Sequence, residues 1–128
     1  MDPSRIPAPA RAPDTEPYWA AARDGILLIK RCRGCCKVHS YPRDICPYCL
    51  SDDTAWERAS GHGTIYSFSH VDRKGDAWTL AYVTLEEGVT MMTNLVECNP
   101  DNLTVGQAVS VMFVPSRDGQ PIPMFRPA

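Results

Sequence analysis

The chain has 128 residues, a formal net charge of -2 and an isoelectric point near 5.9. That length holds one ordinary domain, or a small module joined to a small barrel. The charge balance excludes a surface built mainly to grip a phosphate backbone, and no apolar run reaches the eighteen residues of a membrane-spanning helix. The charge is also uneven. Residues 1–59 carry nine basic and eight acidic groups, and residues 60–128 four basic and seven acidic, so the second half is the acidic one.

Residues 1–14 hold four of the twelve prolines and almost nothing large enough to pack, which predicts an extended or disordered leader that orders on a partner. They lack the apolar segment of a secretory signal, so a cytoplasmic location is expected. Thr15 offers an N-cap, Pro17 falls in a first turn where its missing N–H costs nothing, and Gly25 offers a left-handed stop. A short helix over 16–24 follows. Its Tyr18 and Trp19 are either anchors against the next module or part of a partner surface.

Residues 26–31 and 38–41 predict a strand and its hairpin return, enclosing Cys32-x2-Cys35. Cys46-x2-Cys49 follows ten residues later, flanked by Pro42 and Pro47. Two such knuckles bring four thiolates into a tetrahedron, the donor set of structural zinc or of a rubredoxin-type iron centre. Paired disulfides are the alternative, but two-residue spacing closes a strained ring. Cys32, Cys35, Cys46 and Cys49 are therefore the predicted metal ligands. A closed four-thiolate shell leaves no position for activated water, so the metal is structural. Cys36 and Cys98 remain as free thiols, which suits a reducing compartment.

A short strand around Trp56 closes this module, predicted over 15–59. Residues 60–128 then give five strand candidates, 64–71, 80–86, 90–97, 108–115 and 122–126, a count that suits an OB-type barrel. Ala81, Val83 and Leu85 share one face, as do Val109, Val111 and Phe113. Glu87-Gly88 and Arg117-Asp118-Gly119 supply turns, residues 99–102 stand where an OB-fold often carries a helix, and Gly61-His62-Gly63 predicts a hinge between the modules. The fold class is thus mainly β: a short N-terminal helix, a rubredoxin-like zinc ribbon and a five-stranded barrel.

No catalytic constellation stands out. His39, His62 and His70 lack a nucleophile partner and are expected in turns or at the surface, and Cys98 as a small buried apolar group. Arg31, Arg33, Lys37 and Arg43 cluster around the metal ligands, either as a solvated ribbon face or as a dock for phosphates of coenzyme A or nucleic acid. Tyr66 and Phe68, two apart on a strand, are either stacking platforms or core residues.

Taken together, the sequence resembles the zinc-ribbon and OB-fold proteins of domain-of-unknown-function family thirty-five, which are associated with acyl-CoA and accompany thiolase-like enzymes. The resemblance rests on Pro17-Tyr18-Trp19, Cys32-Arg33-Gly34-Cys35, Tyr41-Pro42-Arg43, Cys46-Pro47-Tyr48-Cys49, the run from Ser60 to Ser67, and Pro123-Met124-Phe125-Arg126-Pro127. One departure is Cys36, where such knuckles usually place glycine at a positive φ.

The resemblance implies a subunit without its own catalytic residues that pairs, as a hetero-oligomer, with a thiolase-fold enzyme or a hydratase subunit. Such partners condense, thiolyse or retro-aldol cleave acyl-CoA thioesters, steroid side chains among them. The implied role is to stabilise that enzyme and help form its acyl-CoA site, with the thioester as a shared ligand. The ribbon cations together with Tyr18 and Trp19 are then candidate CoA or partner contacts. The alternatives are a zinc-ribbon and OB-fold nucleic-acid module, disfavoured by the acidic barrel half, and a rubredoxin-like electron carrier.

Overall fold

The computed structural model describes residues 3–128. One helix, α1 (Glu16–Arg23), precedes eight strands: β1 (Leu28–Cys32), β2 (Val38–His39), β3 (Thr54–Arg58), β4 (His62–Arg73), β5 (Asp76–Leu85), β6 (Thr90–Leu95), β7 (Ala108–Pro115) and β8 (Pro121–Pro127). The ribbon sheet runs β2-β1-β3, and the remaining five strands close a barrel in the order β4-β5-β6-β8-β7. The mainly-β architecture is the one the turn signals and alternation predict.

Thr15 does not cap the helix. Its backbone is already near-helical, and its hydroxyl turns back to the leader, donating to the Ala12 carbonyl at 3.0 Å and accepting from the Ala12 amide at 3.2 Å. Gly25 ends the helix at φ +74°, where a side chain would be strained.

Tyr18 and Trp19 both face inward, edge to face at 4.9 Å. With Leu27 and Ile29 they join the same core as Ile65, Val83, Val109 and Phe125 of the barrel. Anchoring is therefore their role, and neither is available to a ligand or partner. The shared core also removes the predicted hinge. Gly61 and Gly63 are places of close backbone approach: a Cβ on Gly61 would lie 2.6 Å from Val111 Cγ1, and one on Gly63 2.6 Å from the Thr84 carbonyl oxygen.

The leader is corrected too. Residues 3–14 touch the barrel at defined points while most of the segment stays exposed, and Ile6 is buried among Val96, Val114 and Met124. The Arg117 amide donates to the Ile6 carbonyl at 2.9 Å, and Arg5 forms an ion pair with Asp76. A single isoleucine, invisible to a compositional criterion, supplies the apolar contact.

Gln120, in the β7–β8 turn, ties these pieces together and was not singled out by any sequence signal. Its Oε1 accepts from Arg11 at 3.0 Å and Arg23 at 2.8 Å, while its Nε2 donates to the Trp19 and Pro121 carbonyls, both at 3.1 Å. Gln120→Ala leaves the buried Trp19 carbonyl unpaired and takes one acceptor from two half-exposed guanidiniums that keep Asp118 and Glu16 as partners, and is expected to lower stability by about 1–2 kcal/mol. Denaturant unfolding checks this; a change below 0.5 kcal/mol, roughly the scale of a neutral surface substitution, rejects the hub.

In the barrel, β4 and β5 extend further than alternation predicts, joined at Lys74 and Gly75 with φ of 53° and 82°. Two successive positive φ values make the tight turn that hairpin twist favours, here without the usual Asn-Gly signature. A register shift between Ile65 and Ser67 places Tyr66 in a bulge. The extra residue separates Tyr66 from Phe68: Tyr66 points to solvent and Phe68 packs on the core. Residues 99–102 form only a single 3-10 turn, Pro100–Asn102, with the Asn99 side chain accepting from the Asp101 amide at 3.0 Å.

Candidate metal centre

Strand β1 delivers Cys32, the tight turn after it delivers Cys35, and the second knuckle delivers Cys46 and Cys49. All four sulfurs lie within 4.8 Å of one another. Cys32 and Cys49 Sγ are 3.5 Å apart, and Cys35 and Cys46 Sγ 3.7 Å. A tetrahedral zinc with Zn–S near 2.3 Å requires sulfurs about 3.8 Å apart, which the Cys32–Cys49 and Cys35–Cys46 pairs already approach.

Backbone amides complete each knuckle. Gly34 N and Cys35 N donate to Cys32 Sγ at 3.3 and 3.4 Å, and Tyr48 N donates to Cys46 Sγ at 3.4 Å. The Cys35 amide chiefly, helped by the Cys49 thiol and the Gly34 amide against opposing burial, pulls the Cys32 thiol down to about 6. Cys49 is pushed up to about 11: the Ser51 amide favours its thiolate, but the neighbouring thiols outweigh it. Four sulfurs this close cannot all be thiolates without a cation among them, which is the donor chemistry of a divalent metal site.

The two knuckles repeat one geometry. Cys36 N donates to the Cys32 carbonyl and Leu50 N to the Cys46 carbonyl, both at 2.9 Å, and both residues have φ of 65°. The positive φ expected at Cys36 is present, but its amide addresses a carbonyl, while Gly34 and Cys35 address the sulfur. Cys36→Gly relieves a left-handed conformation that costs a side-chain-bearing residue about 1–2 kcal/mol, partly offset by unfolded-state entropy. A net gain of roughly 0.5–1 kcal/mol is expected, read as a higher melting temperature at saturating zinc; a loss rejects the strain argument.

The ribbon cations divide by use. Arg31 makes a two-pronged ion pair with Glu57, Nε and Nη2 each 3.1 Å from a carboxylate oxygen, and its Nη1 donates to the Cys36 carbonyl at 2.9 Å. Glu57 holds its guanidinium above the ordinary range. Arg31 thus ties the first knuckle to β3 through a pair that is half-exposed. Arg33 pairs with Asp53 at 3.1 Å on the surface, and Lys37 sits over the Tyr48 ring at 5.1 Å. The Arg43 side chain has no ion-pair partner among the described residues.

Two features escaped the pattern of the sequence. Lys30 is buried, its ammonium 4.5 Å from the Trp56 ring centre and donating to Asp44 Oδ1 at 3.3 Å and Thr54 Oγ1 at 3.4 Å. His39, expected at the surface, is buried, with Nε2 3.3 Å from the Arg43 carbonyl oxygen. Burial lowers its pKa and favours the neutral ring. Of the other histidines, His62 is exposed and His70 bonds Thr79 Oγ1 at 2.9 Å. Cys98 is half-buried against the core, which pushes its thiol up.

Fold and site together define a zinc-ribbon protein with an OB-fold barrel. Two family profiles match it, the "ChsH2, rubredoxin-like zinc ribbon domain" over residues 19–55 and the "ChsH2, C-terminal OB-fold domain" over residues 56–114. The chain belongs to the DUF35 family.

Among relatives, a DUF35 domain-containing scaffold protein of Methanocaldococcus jannaschii is 30% identical over 74% of this chain and 73% of its own length. A probable enoyl-CoA hydratase alpha subunit of Thermomonospora curvata is 32% identical over 95% of this chain, which spans only 40% of that protein. The solved "Ltp2-ChsH2(DUF35) aldolase" contains a chain that superimposes with a TM-score of 0.80 at 30% identity, covering 94% of this chain and 98% of that one. A DUF35 protein of Sulfolobus solfataricus, 10% identical with a TM-score of 0.67 over 91% of this chain and 87% of its own, shares the fold. No helix among the described residues is long and apolar enough to cross a membrane.

Proposed function

We propose that this chain is a non-catalytic accessory subunit that binds and stabilises a thiolase-superfamily enzyme and helps form its acyl-CoA site. The observation that carries this reading is its likeness, over 94% of its length, to the DUF35 chain of a two-component aldolase. Two further features agree with it. A four-sulfur centre has no open coordination position, and the histidine–hydroxyl pair of His70 with Thr79 puts its hydroxyl on a buried threonine. Zinc is structural in this reading, and the nucleophile or the acid and base belong to the partner. The kinship with a hydratase subunit makes a hydratase the other partner class.

Affinity purification of the tagged chain from its host at moderate salt, followed by mass spectrometry, tests the reading. A stoichiometric thiolase-fold or hydratase-fold subunit supports it. Recovery of RNA, ribosomal or polymerase components instead returns the nucleic-acid module.

The ribbon cations left to serve as phosphate contacts are Arg43, Lys37 and Arg33, the last by exchanging Asp53 for phosphate in an exposed and therefore weak pair. Arg33→Ala with Arg43→Ala is expected to weaken CoA-thioester affinity of the complex by roughly five- to tenfold, the scale of one or two exposed charge-assisted contacts, with zinc content unchanged. Unaltered affinity assigns these residues to an ordinary solvated surface.

A further inference from the structure

The middle of the barrel's outer wall across β4, β5 and β6 carries no charge, the charges Asp72, Arg73, Lys74 and Asp76 lying at the β4–β5 turn end. Residues 64–71, 77–85 and 88–96 contain no Asp, Glu, Lys or Arg, in a chain that is 22% charged. Half of each strand faces solvent, and there the side chains are large. Tyr66 is 65% exposed, Tyr82 45% and Met92 60%. Tyr82 stands opposite Met92 on β6 and opposite Ser67, next to the Tyr66 bulge, on β4, so the three form one row across three strands. One row further along, exposed Leu80 stands opposite Asn94, and both also line a notch of about 540 Å³ with Trp78 and the Arg5–Asp76 pair. The face is thus a projecting Tyr-Tyr-Met ridge continuing into a recess of mixed character, apolar at Trp78 and Leu80 and bounded by the Arg5–Asp76 pair.

We infer that this neutral wall is the surface on which the enzyme subunit of the proposed function docks, with the Tyr66–Tyr82–Met92 ridge at its centre and the Trp78–Leu80 notch receiving an apolar side chain of that subunit. The inference rests on the accessory-subunit reading and adds which face performs it. Tyrosine and methionine are enriched, and charge is depleted, at the centres of protein interfaces.

The charge pattern also restricts the occupant. Nucleic acid needs cations that the ridge lacks, and Arg5 at the notch is paired with Asp76. A charged protein surface would lose its hydration over the ridge and gain no counter-charge there, at a net cost. The complementary surface is therefore an uncharged protein face with one protruding apolar residue. The other exposed apolar cluster, Tyr41, Ile45, Tyr48 and Leu50 on the second knuckle, is interrupted by Arg43 and Asp44 and covered in part by Lys37. It fits that description less well.

A photo-activated cross-linking residue placed at 82, at 92 or, for contrast, at 48 tests the assignment in the host. Conjugates of a thiolase- or hydratase-fold subunit are expected from 82 and 92 and not from 48. The same subunit conjugated only from 48 overturns this inference and leaves the accessory reading standing. Conjugates of two copies of this chain from 82 and 92 overturn it in favour of self-association. If no such subunit is conjugated from any position, or retained by the tagged chain, both fall.

With the retained subunit purified, Tyr82→Glu is expected to weaken binding by about thirtyfold or more, the scale of a central interface residue, and Tyr48→Glu by less than about threefold. Unchanged zinc content and melting temperature show that each variant is folded. Equal affinity of the folded Tyr82→Glu variant rejects the assignment.

Discussion

Cys46→Ser should abolish stoichiometric zinc binding and unfold the ribbon. Cys46 is fully buried, and its sulfur lies 3.7 Å from Cys35 Sγ and accepts from the Tyr48 amide. Three thiolates and a hydroxyl close a zinc site poorly, and a structural zinc contributes on the order of 10 kcal/mol to the folding of a small module. The knuckle loops have little else to hold them: Tyr41, Ile45, Tyr48 and Leu50 are all exposed.

The loss should not stop at the ribbon. Leu27 and Ile29, on or beside β1, share a core with Val83 and Phe125 of the barrel, so ribbon unfolding uncovers one end of that core. Metal analysis should show well under one zinc per chain, and melting should fall for the whole chain in a single broadened transition. A strong chelator should do the same to the unaltered protein. One zinc per chain with unchanged melting in Cys46→Ser would refute the ligand set.

Phe125→Ala is the second large effect, expected at about 3–5 kcal/mol. Phe125 is fully buried on β8, the strand that closes the barrel. It pairs with Val111 on β7 and, in parallel, with Leu95 on β6, and its carbonyl accepts from the Val96 amide at 2.8 Å. Truncation leaves a cavity where few neighbours can collapse, since the surrounding backbone is tied into three strands. Against a total stability of about 5–15 kcal/mol for a domain, this brings the chain close to unfolding at room temperature. Tyr66→Ala, on the same barrel but outside the core, should change stability by less than about 1 kcal/mol in the same denaturant series. Comparable losses for the two would mean that the inward and outward faces are misassigned.

Much of the fold was legible because its signals are local. Residues 80–86 and 108–115 alternate with a period of two, and the glycines in the Glu86-Glu87-Gly88 and Arg117-Asp118-Gly119 turns take up positive φ. Alternation fails where a residue is inserted. At Tyr66 the bulge changes which face every later residue of β4 presents, and nothing in the composition of residues 64–68 marks it. The long β4–β5 arm was missed for a similar reason, because Lys74 occupies a left-handed position usually held by Asn or Asp.

The clustering of Cys32, Cys35, Cys46 and Cys49 was legible in sequence alone, because two-residue spacing constrains a knuckle whatever surrounds it. The fate of the other candidate site residues was decided by tertiary structure. Arg31 stands among the ribbon cations in sequence, but only the pairing of β1 with β3 brings Glu57, diagonal to it across the sheet, within reach of its guanidinium. Tyr18 and Trp19 read equally as anchors or partner contacts until the barrel covers them, and His39 and Lys30 carry no mark of burial. Ile6 and Gln120 make contacts across roughly a hundred residues of chain. Spacing and period are properties of a few consecutive residues, whereas burial and ion pairing depend on which distant segments arrive, and that is set only when the ribbon, leader and barrel share one core.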